Sequence, residues 1–281
     1  MKKISKTIVF FGNEKLATGL PQAEPVIRQA VESAGFTIEQ VVTGKLSELK
    51  PHKSKLAVLA AYGQIIPQRV LDEFPLGIIN VHPSLLPQYR GPTPIEQAIL
   101  DGVPKTGVSI MRLSAGMDEG PLYKQKTAHL SGTETKANLT KKLQKHGSDL
   151  LVDILPAIAD GSLQPRQQPH PDRATYSRKL TKTDSIIDWE KPAEVLEREI
   201  RAFAGWPGSR TTLFNKDVIV TEAHAILSTA PNAKPGDITV VKDAGEIGVT
   251  TKNGTLWITK LKPAGKKEMT AKEFTTGYYR N

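Results

Sequence analysis

A chain of 281 residues, 38% hydrophobic and 24% charged, is long enough for two domains, each with its own core. It contains no cysteine, which excludes disulfides, thiol nucleophiles and thiolate metal sites and fits a cytoplasmic location. The net charge of +9 favours polyanionic partners, nucleic acid above all. No apolar run approaches membrane-spanning length, and Met1–Lys6 leads into a strand-like run rather than a signal-peptide core, so no membrane contact is expected.

In chain order, Ile8-Val9-Phe10-Phe11 followed by Gly12-Asn13 reads as a first strand and its loop. Val26, Ile27, Ala30, Val31 and Ala34 recur at helical spacing, with Gly35 placed to end that helix. Ile38–Val42, Leu56–Ala60 and Gly77–Val81 are three further short apolar runs, and together these features predict a parallel sheet with crossover helices. Thr93-Pro94-Ile95-Glu96 is a capping box opening a helix that closes at Asp101-Gly102. Thr106–Arg112 is the next strand, and it ends in the loop Ser114–Gly120. Leu139, Leu143, Leu150, Ile154 and Ile158 mark a long amphipathic helix that Pro156 is expected to kink or end near Asp160-Gly161.

Gly161 to His170 is rich in Gln, Pro and Ser and reads as a linker or surface excursion. A helix over Pro192–Phe203 then buries Leu196, Ile200 and Phe203. Thr211–Phe214, Val218–His224, Asp237–Val241, Ile247–Thr251 and Leu256–Leu261 are β-branched-rich runs that suggest a small barrel.

The stretch Ile79-Asn80-Val81-His82-Pro83-Ser84-Leu85-Leu86-Pro87 places polar residues where an apolar strand ends. Asn80 and His82, two apart, share a strand face, and Pro83 and Pro87 force the chain out of the sheet as a stiff loop able to wall a pocket. Asp118 lies on the loop after the next strand, and functional groups collect beyond the C-terminal ends of parallel strands, so Asp118 can meet His82. An imidazole that accepts a proton, a carboxylate that orients it and an amide that donates to an oxyanion suit acyl transfer. The same trio could serve hydrolysis, and polar pairs at strand ends are often loop anchors only. Ser84 lacks a G-x-S-x-G elbow, Gly12-Asn13 lacks a dinucleotide fingerprint, and His52, His129, His146, His170 and His224 show no metal-ligand spacing.

Asn80-Val81-His82-Pro83-Ser84-Leu85-Leu86-Pro87, then Arg90-Gly91, then Asp118-Glu119-Gly120, resembles the active-site signature of 10-formyltetrahydrofolate-dependent formyltransferases. The resemblance implies a Rossmann-like catalytic domain over residues 1–178 and an OB-like β-barrel with its linker helix over 179–281, the latter for tRNA. Asn80, His82 and Asp118 would be catalytic, the loop Ser84, Leu85, Leu86 and Pro87 would hold the folate, and no metal would be needed. Leu180-Thr181-Lys182, Ile187-Asp188-Trp189, Trp206-Pro207, Lys234-Pro235-Gly236-Asp237 and Lys262–Lys267 are similar to the branch of the family that formylates methionyl initiator tRNA. That branch implies a monomer; a sugar-amine formyltransferase and a non-catalytic folate- or RNA-binding relative are the alternatives.

Two departures accompany the likeness. The first loop reads Gly12-Asn13-Glu14-Lys15-Leu16-Ala17 where the family has Gly-Thr-Pro before an acidic residue, and only Gly44–Lys55 fills the gap where the family carries a basic insertion associated with the tRNA acceptor end. The phosphate grip is therefore expected on Lys260, Lys262, Lys266 and Lys267, with Lys234 and Arg210 as helpers.

Overall fold

A computed structural model describes residues 6–12, 23–241 and 245–279, so the first-loop departure at Asn13–Ala17 lies outside the described residues. The chain divides into two compact units. One comprises Met1–Ala98, Val103–Thr133 and Ala137–Lys179, and the other Ile99–Gly102, Glu134–Lys136 and Leu180–Asn281.

The first unit contains β1 (Thr7–Phe11), α1 (Ala23–Ser33), β2 (Thr37–Val42), β3 (Ala57–Leu59), the short α2 (Gln68–Leu71), β4 (Ile78–His82), most of α3 (Pro94–Leu100), β5 (Lys105–Arg112), β6 (Leu122–His129) and nearly all of α4 (Lys136–Ala159). Its sheet runs β2-β1-β3-β4-β5-β6. The β1 to β4 pairings are parallel, as the apolar runs predict. Ile8, Val9, Phe10 and Phe11 are all fully buried, which is what a strand covered on both faces requires. Val9, Phe11, Ala57, Leu59 and Ile78 share one face with Val70 and Phe74. On the opposite face α4 comes so close at Gly147 that a Cβ there would lie 2.6 Å from Val81 Cγ1.

Two features differ from the sequence reading. Strand β5 is antiparallel to β4, with Ile79 opposite Arg112 and His82 opposite Ser109, so the sheet is mostly rather than wholly parallel. A further antiparallel strand, β6, closes the edge. Helix α4 ends at Ala159, beside Asp160-Gly161 as expected, with Pro156 in its last turn on the exposed side.

The shortened segment after Thr43 is compact. Lys50 N donates to Gln40 Oε1 at 3.0 Å while Gln40 Nε2 donates to Lys50 O at 3.0 Å. Lys53 N and Ser54 Oγ both donate to the Glu39 carboxylate. Gly44 O accepts from Tyr62 Oη at 2.8 Å. The Ser54 hydroxyl, then the Lys53 amide, hold the Glu39 carboxyl below its usual range.

The second unit is an antiparallel sheet forming a small barrel-like domain. Its strands are β7 (Ser209–Leu213), β8 (Lys216–Ile226), β9 (Ile238–Val241), β10 (Glu246–Thr250), β11 (Thr255–Pro263) and β12 (Met269–Thr270), ordered β7-β8-β11-β10-β9 with β12 on β11. Helix α5 (Ala193–Phe203) contributes Leu196 and Ile200 to its core, as expected. A last helix, α6 (Ala271–Tyr278), adds Ala271 and Phe274 and was missed by the sequence reading, although Thr270 and Glu273 form a capping box at its start. No helix among the described residues is long and apolar enough to cross a membrane.

Candidate active site

The alternation of β4 sets the site. Ile79 and Val81 point to the α4 side, which leaves Ile78, Asn80 and His82 on the other face; Asn80 and His82 are 7% and 4% exposed. Polar groups thus occupy positions where the same face of β1 and β3 carries Phe11 and Leu59. At the strand end Ser84 N turns back to donate to His82 O at 2.9 Å.

The loop that follows is built by its own side chains and by two residues that sequence reasoning missed. Ser109, on β5 and fully buried, donates to Ser84 O at 2.7 Å and accepts from Leu86 N at 3.1 Å and Gln125 Nε2 at 2.8 Å. Gln125, on β6, also donates to Leu86 O at 2.9 Å. Ser84 Oγ donates to Gln88 O at 2.6 Å, and Leu86 packs against Met111 and Leu122. Of the four loop residues assigned to folate by resemblance, Ser84, Leu86 and Pro87 are buried and only Leu85 is half-buried, seated on Gly107 of β5.

His82 is bonded at one nitrogen and faces a carboxylate with the other. Nε2 lies 2.9 Å from Tyr89 O, and a carbonyl only accepts, so Nε2 carries the hydrogen. Nδ1 faces Asp118 Oδ2 at 3.7 Å, beyond direct hydrogen-bond length for a neutral ring. Asp118 occupies the left-handed region with φ 51°, a conformation that costs energy outside glycine and is held by its surroundings. Its carboxylate accepts from Gly91 N at 2.8 Å. Gly91 is required there, since at φ 102° a Cβ would lie 2.5 Å from Ser177 O.

The meeting of Asp118 with His82 was expected, but the geometry behind it differs. Because β5 runs antiparallel, its end at Arg112 lies beside Ile79, near the start of β4, and the Asp118 loop doubles back over the sheet face to reach the imidazole. The candidate residues therefore meet at the end of β4, where His82 is the last residue, and the Asp118 loop returns to it from the far end of β5. The Asn80 amide makes no hydrogen bond to another described residue, which leaves a near-buried donor for a ligand oxygen.

The stretch taken as a linker also reaches this site. Arg166 pairs with Leu122, and residues 175–178 run alongside 89–93, with Arg90 N donating to Thr175 O at 2.9 Å and Ser177 N to Arg90 O at 2.7 Å. Arg90 is buried; its guanidinium reaches Glu119 at 3.2 Å, Tyr176 Oη at 3.0 Å and Gln168 Oε1 at 2.8 Å.

In the second unit the candidate phosphate-binding lysines lie on β11 and the turn after it. Lys260 pairs with Glu222 of β8 at 2.7 Å; the Glu222 carboxyl is held down chiefly by that bond, and the Lys260 ammonium is pushed up by it. Lys262, Lys266 and Lys267 are exposed and form no ion pair with a described residue, and Lys234 and Arg210 are exposed as well. No group of three or more His, Asp or Glu among the described residues is placed to hold a metal ion.

Residues 5–155 match the family model described as formyl transferase, and residues 179–279 match that of its C-terminal domain. The methionyl-tRNA formyltransferase of Halorhodospira halophila is 40% identical over 256 residues, covering 90% of this chain and 82% of that protein. The protein of the same name from a Roseiflexus species is 38% identical, covering 95% of this chain and 80% of the relative. The crystal structure of HypX from Aquifex aeolicus in complex with tetrahydrofolic acid superimposes with a TM-score of 0.71 at 17% identity, over 98% of this chain and 48% of that one, a likeness of fold alone. With both domain models matched in order and relatives this similar over most of their length, the chain belongs to the formyl transferase family, among the methionyl-tRNA formyltransferases.

Proposed function

We propose that this protein transfers the formyl group of 10-formyltetrahydrofolate to the α-amino group of methionine carried on initiator tRNA, with Asn80, His82 and Asp118 as the catalytic residues. The observation that carries the reading is that His82 Nε2 meets the carbonyl of Tyr89 at 2.9 Å, which makes Nδ1 the nitrogen that faces Asp118 Oδ2, 3.7 Å away. As the amine nitrogen attacks the formyl carbon, His82 Nδ1 takes the proton that the nitrogen gives up. Asp118 Oδ2 then faces an imidazolium, whose charge it stabilises. The Asn80 amide donates to the oxygen that becomes negative in the tetrahedral intermediate. His82 returns its proton to the folate nitrogen that leaves.

Leu85 is the loop side chain exposed enough to touch the folate, while Ser84, Leu86 and Pro87 shape the wall from behind. The reading assigns the reaction to a single chain in the cytoplasm. Formyl transfer to methionyl-tRNA is supported by relatives at 36–40% identity that bear that name.

The test supplies purified protein with 10-formyltetrahydrofolate and either methionyl initiator tRNA or an amino-sugar nucleotide. Formylmethionyl-tRNA is the expected product, and Asp118→Asn lowers its rate by about 10²-fold or more because the amide cannot stabilise the imidazolium. Formylation of the sugar amine in place of the tRNA would overturn the acceptor, and a near-normal rate for Asp118→Asn would remove that residue from the mechanism.

A further inference from the structure

Gln168 lies in the Gln- and Pro-rich stretch that the sequence presents as a linker, yet it is 6% exposed. Its Nε2 donates to Asp118 O at 2.6 Å and to Gly120 O at 2.9 Å, and its Oε1 accepts from Arg90 Nη2 at 2.8 Å. The amide can be oriented in one way only, since exchanging oxygen and nitrogen would set an acceptor against two carbonyls and a donor against a guanidinium. Both carbonyls belong to the loop that carries Asp118, and Asp118 is the residue held in the left-handed region. The loop is thus gripped from two sides. Gly91 N holds the carboxylate, and Gln168 holds the main chain from which the carboxylate projects.

Gln168 touches none of the reacting groups of His82 or Asn80. Its contacts bear on the peptide following Asp118, whose rotation would swing Oδ2 away from the imidazole. We propose that Gln168 is a positioning residue for formyl transfer: by fixing the Asp118–Gly120 main chain it sets the carboxylate against His82 Nδ1, with Arg90 holding Gln168 in turn. The inference rests on the role given to Asp118 above.

The experiment is a double-mutant cycle on the full chain. Gln168→Met keeps the length of the side chain and removes all three hydrogen bonds. It lowers kcat for methionyl-tRNA formylation by about 10- to 100-fold, as a small misplacement of a catalytic group does, with KM for the tRNA changed by less than about threefold. In an Asp118→Asn background the same substitution costs less than about threefold, because the charge it would have misplaced is already gone. Gln168→Glu keeps a partner for Arg90 but turns two donated bonds into contacts between oxygens. It therefore loses kcat as Gln168→Met does while its melting temperature stays nearer the parent's, which separates positioning from folding.

A Gln168→Met enzyme within about twofold of the parent, beside a crippled Asp118→Asn, overturns the inference alone. Penalties that multiply in the double variant also overturn it, since they would place Gln168 on a route independent of Asp118. A near-normal Asp118→Asn overturns the Asp118 assignment, and the inference falls with it.

Discussion

In the first unit the functional candidates are buried or half-buried side chains, and two of them have named partners: His82 Nε2 meets Tyr89 O while its Nδ1 faces Asp118, and Gly91 and Gln168 hold Asp118 and its main chain. In the second unit the candidates are exposed lysines, and the one with a firm partner, Lys260, spends its charge on Glu222. Chemistry on a formyl carbon needs groups placed to within a fraction of an ångström, whereas attraction for a polyphosphate needs only enough positive charge in roughly the right area. The two units therefore differ in how function responds to change. In the first, one atom matters; in the second, a sum does.

The sharpest way to break this contrast is His82→Ala. Removing the imidazole should lower kcat by about 10²–10⁴-fold while folate still binds, because the ring acts on the transition state. A variant that kept more than about a tenth of the parent rate would show that a single buried group is not decisive.

The second unit should behave differently. Lys266→Ala alone should weaken tRNA binding slightly, and Lys266→Ala with Lys267→Ala should lower the slope of log affinity against log salt by about one to two units. Folate binding should be unaffected. An unchanged slope would move the phosphate grip away from the β11–β12 turn.

The smallest effect concerns a group in the first unit that is enclosed but has no partner. His146 of α4 has its Nδ1 buried without a hydrogen bond, and burial, followed by Lys126 and Lys142, lowers its pKa. The folded value lies below the ordinary one of about 6.5, so at lower pH the unfolded chain takes up a proton that the folded chain refuses. Stability contributed by the neutral ring is lost as pH falls through that ordinary value. His146→Asn should therefore reduce the drop in melting temperature between pH about 7.5 and about 5.5. An equal drop in parent and variant would mean that other groups account for it.

Much of the catalytic half was legible because its signals are local. Strands β1, β3 and β4 are short apolar runs that only a doubly covered sheet explains, and Asn80-X-His82 interrupts such a run with polar groups on one face. Strand direction was not legible. Nothing in Thr106–Arg112 distinguishes an antiparallel neighbour from a parallel one, so the right pairing of Asp118 with His82 was reached through the wrong geometry. Strand β6 escaped notice because, with Lys124 and Lys126 paired to Asp153 and Asp149 of α4, it has too few apolar residues to register. Gln168 left no local trace: its neighbour Gln167 is exposed, and only the long-range return of the chain to Arg90 separates the two.

The compact segment after Thr43 has a consequence for how the protein behaves at high concentration. Strand β2 forms the outer edge of the six-stranded sheet. Its pairing with β1 shifts register there, with Ile8 facing Ile38 but Val9 facing Gln40, so Glu39 stands in a bulge, and the segment after Thr43 bonds to both Glu39 and Gln40. A bulge with a segment bonded to it breaks the regular ladder along which another chain's strand would align. This edge is therefore a poor seam for self-association.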